Sequence, residues 1–276
     1  MALYDRDQHR SLAFLYGGHD PGVCCRMHSS LALWLLGYPA ASLERGRTGR
    51  ALAQDLAHPG TIANALPFAS IVYQLVGDIA SLRDVADAMT ALSTEHGLAQ
   101  WLAFGRILDG WIQAEQGRGE PAIDQLRLGI GEYRALGNDL WVPCFLSLLA
   151  SAHLKQGAVV EGLAAVADAL ATGDATGSRL WDAEFRRLEG ELLLARDPAA
   201  GPEAERAFHQ AIELARRHRT KSWELRATTS LGRLWQRQGK RAEAARQLTE
   251  IYSWFTEGFD TADLREARVL LAELEG

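Results

Sequence analysis

The apolar positions of this chain fall into long stretches with helical spacing, broken at near-regular intervals by a turn residue. Gly37, Gly77, Gly117 and Gly157 each close such a stretch, Asp197 follows 40 residues on, and Gly239 follows after 42. Trp101, Trp141, Trp181 and Trp223 are spaced by 40, 40 and 42 residues. Both series lengthen by two at the same place, so Asp197-Pro198-Ala199-Ala200-Gly201-Pro202 holds a two-residue insertion in a turn. Within a unit the pattern predicts helix, short turn, helix: in the third, Leu98 to Gln116, a turn at residues 117–120, then Pro121 to Leu136. No segment alternates with period two between hairpin turns, so no sheet is predicted. Asp20-Pro21, Glu120-Pro121 and Gly201-Pro202 place proline in a first helical turn. Asn138, Asp139, Ser222 and Thr261 are candidate N-caps.

Seven residues before each turn residue stand Ser30, Ser70, Gly110, Ala150, Gly190 and Gly232. All are small, as two closely crossing helices require. The second helices carry a matching column at Ala122, Gly162, Ala204 and Ala244, then a large knob at Leu126, Val166, Phe208 and Leu248. Small residues at a crossing with a knob between them are the pattern of a tetratricopeptide (TPR) unit, here lengthened from the usual 34 residues. The predicted fold is all-α: a right-handed superhelix of antiparallel helix pairs, a TPR-like α-solenoid forming a single domain over residues 1–276. Residues 1–19 supply a partial leading helix (Arg6 to Tyr16), residues 20–258 six helix pairs, and residues 259–276 a capping helix. The leading helix has no upstream partner. The expectation is that the array continues in a longer parent or is covered by another chain.

Composition narrows the class. A net charge of −6 and a pI near 5.8 argue against direct nucleic-acid binding and against a polybasic membrane anchor. The longest apolar run, Leu31 to Leu36, is too short to span a bilayer, and the N-terminus lacks signal-peptide order, so a cytoplasmic protein is expected. Three cysteines make no disulfide framework. His19, Cys24, Cys25 and His28 cluster, and Cys25 and His28 lie one turn apart, but the spacing matches no standard zinc site. They read as small buried cysteines with a helix-start histidine, and no metal or other cofactor is expected. Cys144 and His153 are nine residues apart on one helix and cannot meet as nucleophile and base. The tryptophan column reads as a staple onto the preceding helix.

The first helices line the concave face of a TPR array. Their inward offsets give Asn64, Pro67, Ile71 and Gln74; Phe104, Ile107, Trp111 and Glu115; and Cys144, Ser147, Ser151 and Lys155. They continue with Glu184, Arg187 and Glu191, then Arg226, Thr229, Arg233 and Arg237. The face passes from apolar to charged. Phe104, Ile107, Trp111, Glu115, Glu184, Arg187, Glu191, Arg226, Arg233 and Arg237 are the candidate ligand- or partner-binding residues. The arginines either pair with neighbouring glutamates or grip an anion or acidic peptide. No catalytic residue is assigned.

Several stretches carry a resemblance: Tyr16-Gly17-Gly18-His19-Asp20-Pro21-Gly22-Val23-Cys24, Leu33-Trp34-Leu35-Leu36-Gly37-Tyr38-Pro39, Leu225-Arg226-Ala227-Thr228-Thr229-Ser230-Leu231, and Trp254-Phe255-Thr256-Glu257-Gly258-Phe259-Asp260-Thr261. Together they resemble the C-terminal TPR-like region of large bacterial signalling ATPases. In those proteins a class III adenylate/guanylate cyclase or winged-helix DNA-binding domain comes first, then an AAA/STAND nucleotide switch, then the array. The resemblance implies a module that senses a protein, peptide or small-molecule inducer and biases the switch or ATPase domain of its parent. The Gly-x-x-x-x-Gly-Lys-Ser/Thr loop of the switch is absent: the one Gly-Lys, Gly239-Lys240, runs into Arg241. The alternatives are a free-standing peptide-binding adaptor and, from another class, an α/α enzyme using Glu184 and Glu191.

Overall fold

The computed structural model describes residues 4–15 and 17–276; Tyr16, at the end of the predicted leading helix, lies outside them. A short turn of helix, α1 (Arg6–His9), runs into a 3-10 segment, and thirteen longer helices follow. They pack in sequence as six antiparallel pairs: α2 (Pro21–Leu35) with α3 (Pro39–Leu56), α4 (Pro59–Val76) with α5 (Ile79–His96), and α6 (Ala99–Glu115) with α7 (Glu120–Ala135). The others are α8 (Val142–Gln156) with α9 (Val159–Thr176), α10 (Asp182–Arg196) with α11 (Gly201–His218), and α12 (Lys221–Arg237) with α13 (Arg241–Tyr252). The last helix, α14 (Ala262–Glu275), lays Leu264, Ala267, Leu270 and Leu274 against α12 and α13. The two-residue insertion forms a 3-10 turn at Pro198–Ala200.

The column of small residues is where the helices of a pair cross. Ser30, Ser70, Gly110, Ala150, Gly190 and Gly232 are all buried. In the first pair Ser30 and Ser42 each donate a hydroxyl to the other's carbonyl at 2.7 Å, so the two backbones are tied together. In the third, a Cβ on Gly110 would lie 2.9 Å from the amide nitrogen of Leu126 and 3.1 Å from the carbonyl oxygen of Ala122. Leu126, Phe208 and Leu248 are fully buried beside such crossings, and Val166 nearly so.

Helix ends follow local chemistry, with two departures from expectation. Asp20, His58 and Asp78 accept from backbone amides at the starts of α2, α4 and α5. Thr261 is the N-cap of α14 by backbone geometry, without a side-chain bond. Ser222 is not a cap: it sits inside the first turn of α12 and donates its hydroxyl to the carbonyl of Trp34 in α2. Asn138 and Asp139 lie in the turn before Trp141, which occupies the cap position of α8.

That Ser222 bond exposes the main difference from an open solenoid. The array comes round so that its sixth pair docks on the ends of its first two. The Trp34 and Trp223 rings meet edge to face at 4.7 Å. Glu257 accepts from the amide of Ala41 at the start of α3, 2.9 Å away. Gly37, at φ +90° in the α2–α3 turn, lies so close that a Cβ would come within 2.6 Å of the Trp254 ring and 2.8 Å of the Lys221 Cβ. The interior is filled: Phe68 of α4 meets Trp141 at 5.2 Å, and Phe104 meets Phe145 at 4.7 Å, both edge to face. One continuous apolar core runs from Val23 to Trp223.

The crossing sets a graded expectation for stability. Gly110→Ala forces backbone against backbone and should cost about 1–3 kcal/mol. Gly131→Ala, in a helix where a Cβ meets nothing within 4 Å, should add about 0.5–1 kcal/mol through helix propensity. Urea denaturation of the two variants checks the pair.

Candidate functional site

The inward face divides into an apolar half and a charged half, with different fates. Phe104 and Ile107 are fully buried and Trp111 is 5% exposed. The closing of the array removes them from reach, so they are packing residues and not the lining of an open groove. Ile71 and Cys144 are buried with them. Burial pushes the Cys144 thiol well above its ordinary range. His153, also buried, is held below the usual imidazole range by burial and then by the Arg127 guanidinium. Its Nδ1 and the Trp111 Nε1 have no hydrogen-bond partner among the described residues. Glu115 pairs with Lys155 of the next unit.

The tryptophan column is structural. Trp141, Trp181 and Trp223 are buried, and Trp223 Nε1 donates to the carbonyl of Leu180 at 3.2 Å, the staple onto the preceding repeat that its spacing predicts. In the N-terminal cluster the i,i+4 pair Cys24 and His28 meets at 3.5 Å, rather than Cys25 with His28, and Cys25 is exposed rather than buried. Among the described residues no three His, Cys, Asp or Glu side chains are placed to share a metal ion. Among them, too, no helix is long and apolar enough to cross a membrane.

The charged half is assembled by α10, α12 and the first turn of α14. Arg187 donates to both oxygens of Glu184, at 2.9 and 2.7 Å, and stands 3.7 Å from Glu191. Ser230 donates to Glu191 at 2.6 Å. Arg226 is the hub. Its Nε lies 2.9 Å from both oxygens of Asp263, its Nη2 donates to the carbonyl of Leu75 at 2.6 Å, and its Nη1 is 3.7 Å from Glu184. The same guanidinium lies over the Trp34 and Trp223 rings at 5.2 and 5.1 Å. Arg226 therefore joins the sixth repeat to the ends of the first two. Arg233 pairs with Glu266 at 2.7 Å nearer solvent. Arg237 is exposed and does not line this cluster.

A cleft of about 140 Å³ opens here, with Glu191, Ser230, Arg233 and Glu266 among its lining residues. Arg187, Arg226 and Arg233 face Glu184, Glu191, Asp263 and Glu266, so carboxylates outnumber guanidiniums by one. Ion pairing, not a bare cationic grip, is what the arginines do. Asp263 and Glu266 escape sequence reasoning because acidic residues in a first helical turn read as dipole partners. Nothing local marks them as facing an arginine some 37 residues away.

The carboxylates titrate in opposite directions. Burial raises Glu184, but the charge of Arg187, its two hydrogen bonds and the charge of Arg226 outweigh this and hold the carboxyl below its ordinary range. At Asp263 burial prevails over Arg226, helped by the nearby charges of Glu184 and Glu266, and the carboxyl is raised. Glu184 thus contributes stability that is complete above the ordinary carboxylate pKa and lost as pH falls through its lower folded value. Ionised Asp263 instead costs stability near neutrality, relieved as pH falls through its raised value.

No protein-family model matches the chain. It is 25% identical over 215 residues, 78% of its length, to an uncharacterized protein of Rhizobium meliloti (strain 1021). It covers 21% of that protein, about a fifth of the relative's length. The chain is a helical-repeat region homologous to part of a larger bacterial protein.

Glu184→Gln should destabilise the fold at pH 7 by about 3 kcal/mol, since it leaves buried guanidinium charge uncompensated. The deficit should shrink toward pH 3. Asp263→Asn should cost much less at pH 7, because the amide oxygen still accepts from Arg226. Urea titrations at several pH values distinguish the two.

Proposed function

We propose that this chain is a non-catalytic module of the tetratricopeptide type that acts by binding. It belongs to a larger cytoplasmic signalling protein of the ATPase type, linked to a cyclase or to transcription. The alignment supports this reading most directly: most of this chain matches a small part of a much longer protein. The motif resemblance to the array that follows an AAA/STAND switch agrees with it.

The chemistry of the charged cluster favours binding over turnover. Glu184, the better enclosed of the two glutamates an enzyme could use, is held ionised between two guanidiniums and is unsuited to exchange protons near neutrality. The mouth of the cleft presents Glu191 and the Arg233–Glu266 pair, which match a small zwitterionic or cationic inducer better than a simple anion. Bound there, a ligand touches α10, α12 and α14 together and biases how the last repeat sits on the first. The switch domain of the parent reads that change.

A thermal-shift screen of metabolites against the full chain tests this. A true ligand at a hundred times its Kd stabilises by about 2.7 kcal/mol, a clear rise in Tm. Arg233→Ala should abolish the rise without lowering the Tm of the free protein by more than a few degrees. Conversion of a screened compound that is lost in Glu184→Gln or Glu191→Gln would replace this reading with an enzymatic one.

A further inference from the structure

The closing of the array builds a surface that no single repeat possesses. Leu36 and Tyr38, in the α2–α3 turn, are 43% and 38% exposed; Trp254 and Phe259, between α13 and α14, are 36% and 39% exposed. These are large apolar side chains that folding leaves at the surface, from segments more than 200 residues apart. The Tyr38 and Trp254 rings stand 5.3 Å apart. Gly37 seats against Trp254, and Gly258 against Pro39. The result is an aromatic ledge held rigidly from both sides.

A basic run borders it. Arg216, Arg217, His218 and Arg219 end α11, and Lys221 follows, its Nζ 5.9 Å from the centre of the Trp254 ring. Two carboxylates answer these cations: buried Glu224, shared by Arg216 and Lys221, and exposed Glu250, 4.0 Å from Arg216. Four permanent cations against two carboxylates leave a positive rim on a chain whose net charge is −6.

Arg219 is singular within the run. The residue after the second helix of each unit takes a left-handed backbone, and Gly97, Gly137 and Gly177 fill that place. Arg219 takes it at φ +57°, where any side chain is strained. A cation in the last turn of a helix is explained by the helix dipole. An arginine in the place of the glycine, beyond that turn, is not.

We propose that this ledge and its basic rim are a docking site for an acidic, aromatic- or leucine-bearing segment of a partner protein. Apolar anchors of the segment sit on Tyr38 and Trp254, and its carboxylates face Arg217, Arg219 and Lys221. The proposal rests on reading the chain as a binding module, but it uses a different surface from the cleft.

The test is fluorescence anisotropy with a labelled synthetic peptide of alternating Asp/Glu and Phe/Leu, combined with NMR of the tryptophan indole N–H groups in the full chain. Saturable binding that shifts the Trp254 indole is expected. Trp254→Ala and Arg217→Glu should each weaken it about tenfold. Arg219→Gly should also weaken it while Tm holds or rises, a split that a purely structural arginine cannot give. Equal binding of a Lys-for-acid peptide overturns the proposal, as does absence of binding at millimolar peptide. A single-stranded oligonucleotide that competes better assigns the ledge to nucleic acid instead. A Trp254 shift that depends on protein concentration alone assigns it to a second copy. Each of these outcomes leaves the cleft, tested through Arg233, untouched.

Discussion

One guanidinium holds the shape of this protein. Arg226 stacks on two tryptophans, pairs with Asp263 and donates to the carbonyl at the end of α4. A guanidinium meets these demands together, because its flat face suits aromatic rings while its edge carries donors in fixed directions. A lysine could supply the charge but not the geometry. With Arg226 in place the last repeat is locked onto the first, and the fate of the inner face follows.

The helix pairs, their turns, the crossing column and the two-residue insertion were legible in the sequence because each rests on short-range rules. Spacing reports which side of a helix is apolar, glycine reports the left-handed turn, and a small residue at a fixed offset reports a close crossing. The return of the sixth repeat to the first was not legible, since it depends on small rotations that accumulate over five repeats. Ser222 shows the difficulty: locally it is a fair helix cap, and only its distant neighbour Trp34 gives it another use.

The candidate site was legible in part for the same reason. Arg187, Glu184, Glu191 and Arg226 do converge, because units stacked in register place them together. Phe104, Ile107 and Trp111 share the same inward offset, yet they are core residues. Offset tells which way a side chain points, not whether solvent is waiting there. The charged end stays accessible because buried ions need compensation and hydration, and helices carrying them do not pack as closely as those carrying Phe and Ile.

The contact between the first and last repeats also changes what kind of repeat protein this is. In an open array each unit answers only to its neighbours, so units can be gained or lost and the ends fray independently. Here the α2–α3 turn must find a partner more than 200 residues away. Deleting one pair, or inserting a seventh between them, would carry Trp223 and Arg226 past their seats on Trp34 and Leu75. The number of repeats is therefore fixed by geometry. The two ends unfold together, and the chain behaves as one cooperative body although it was built from repeated parts.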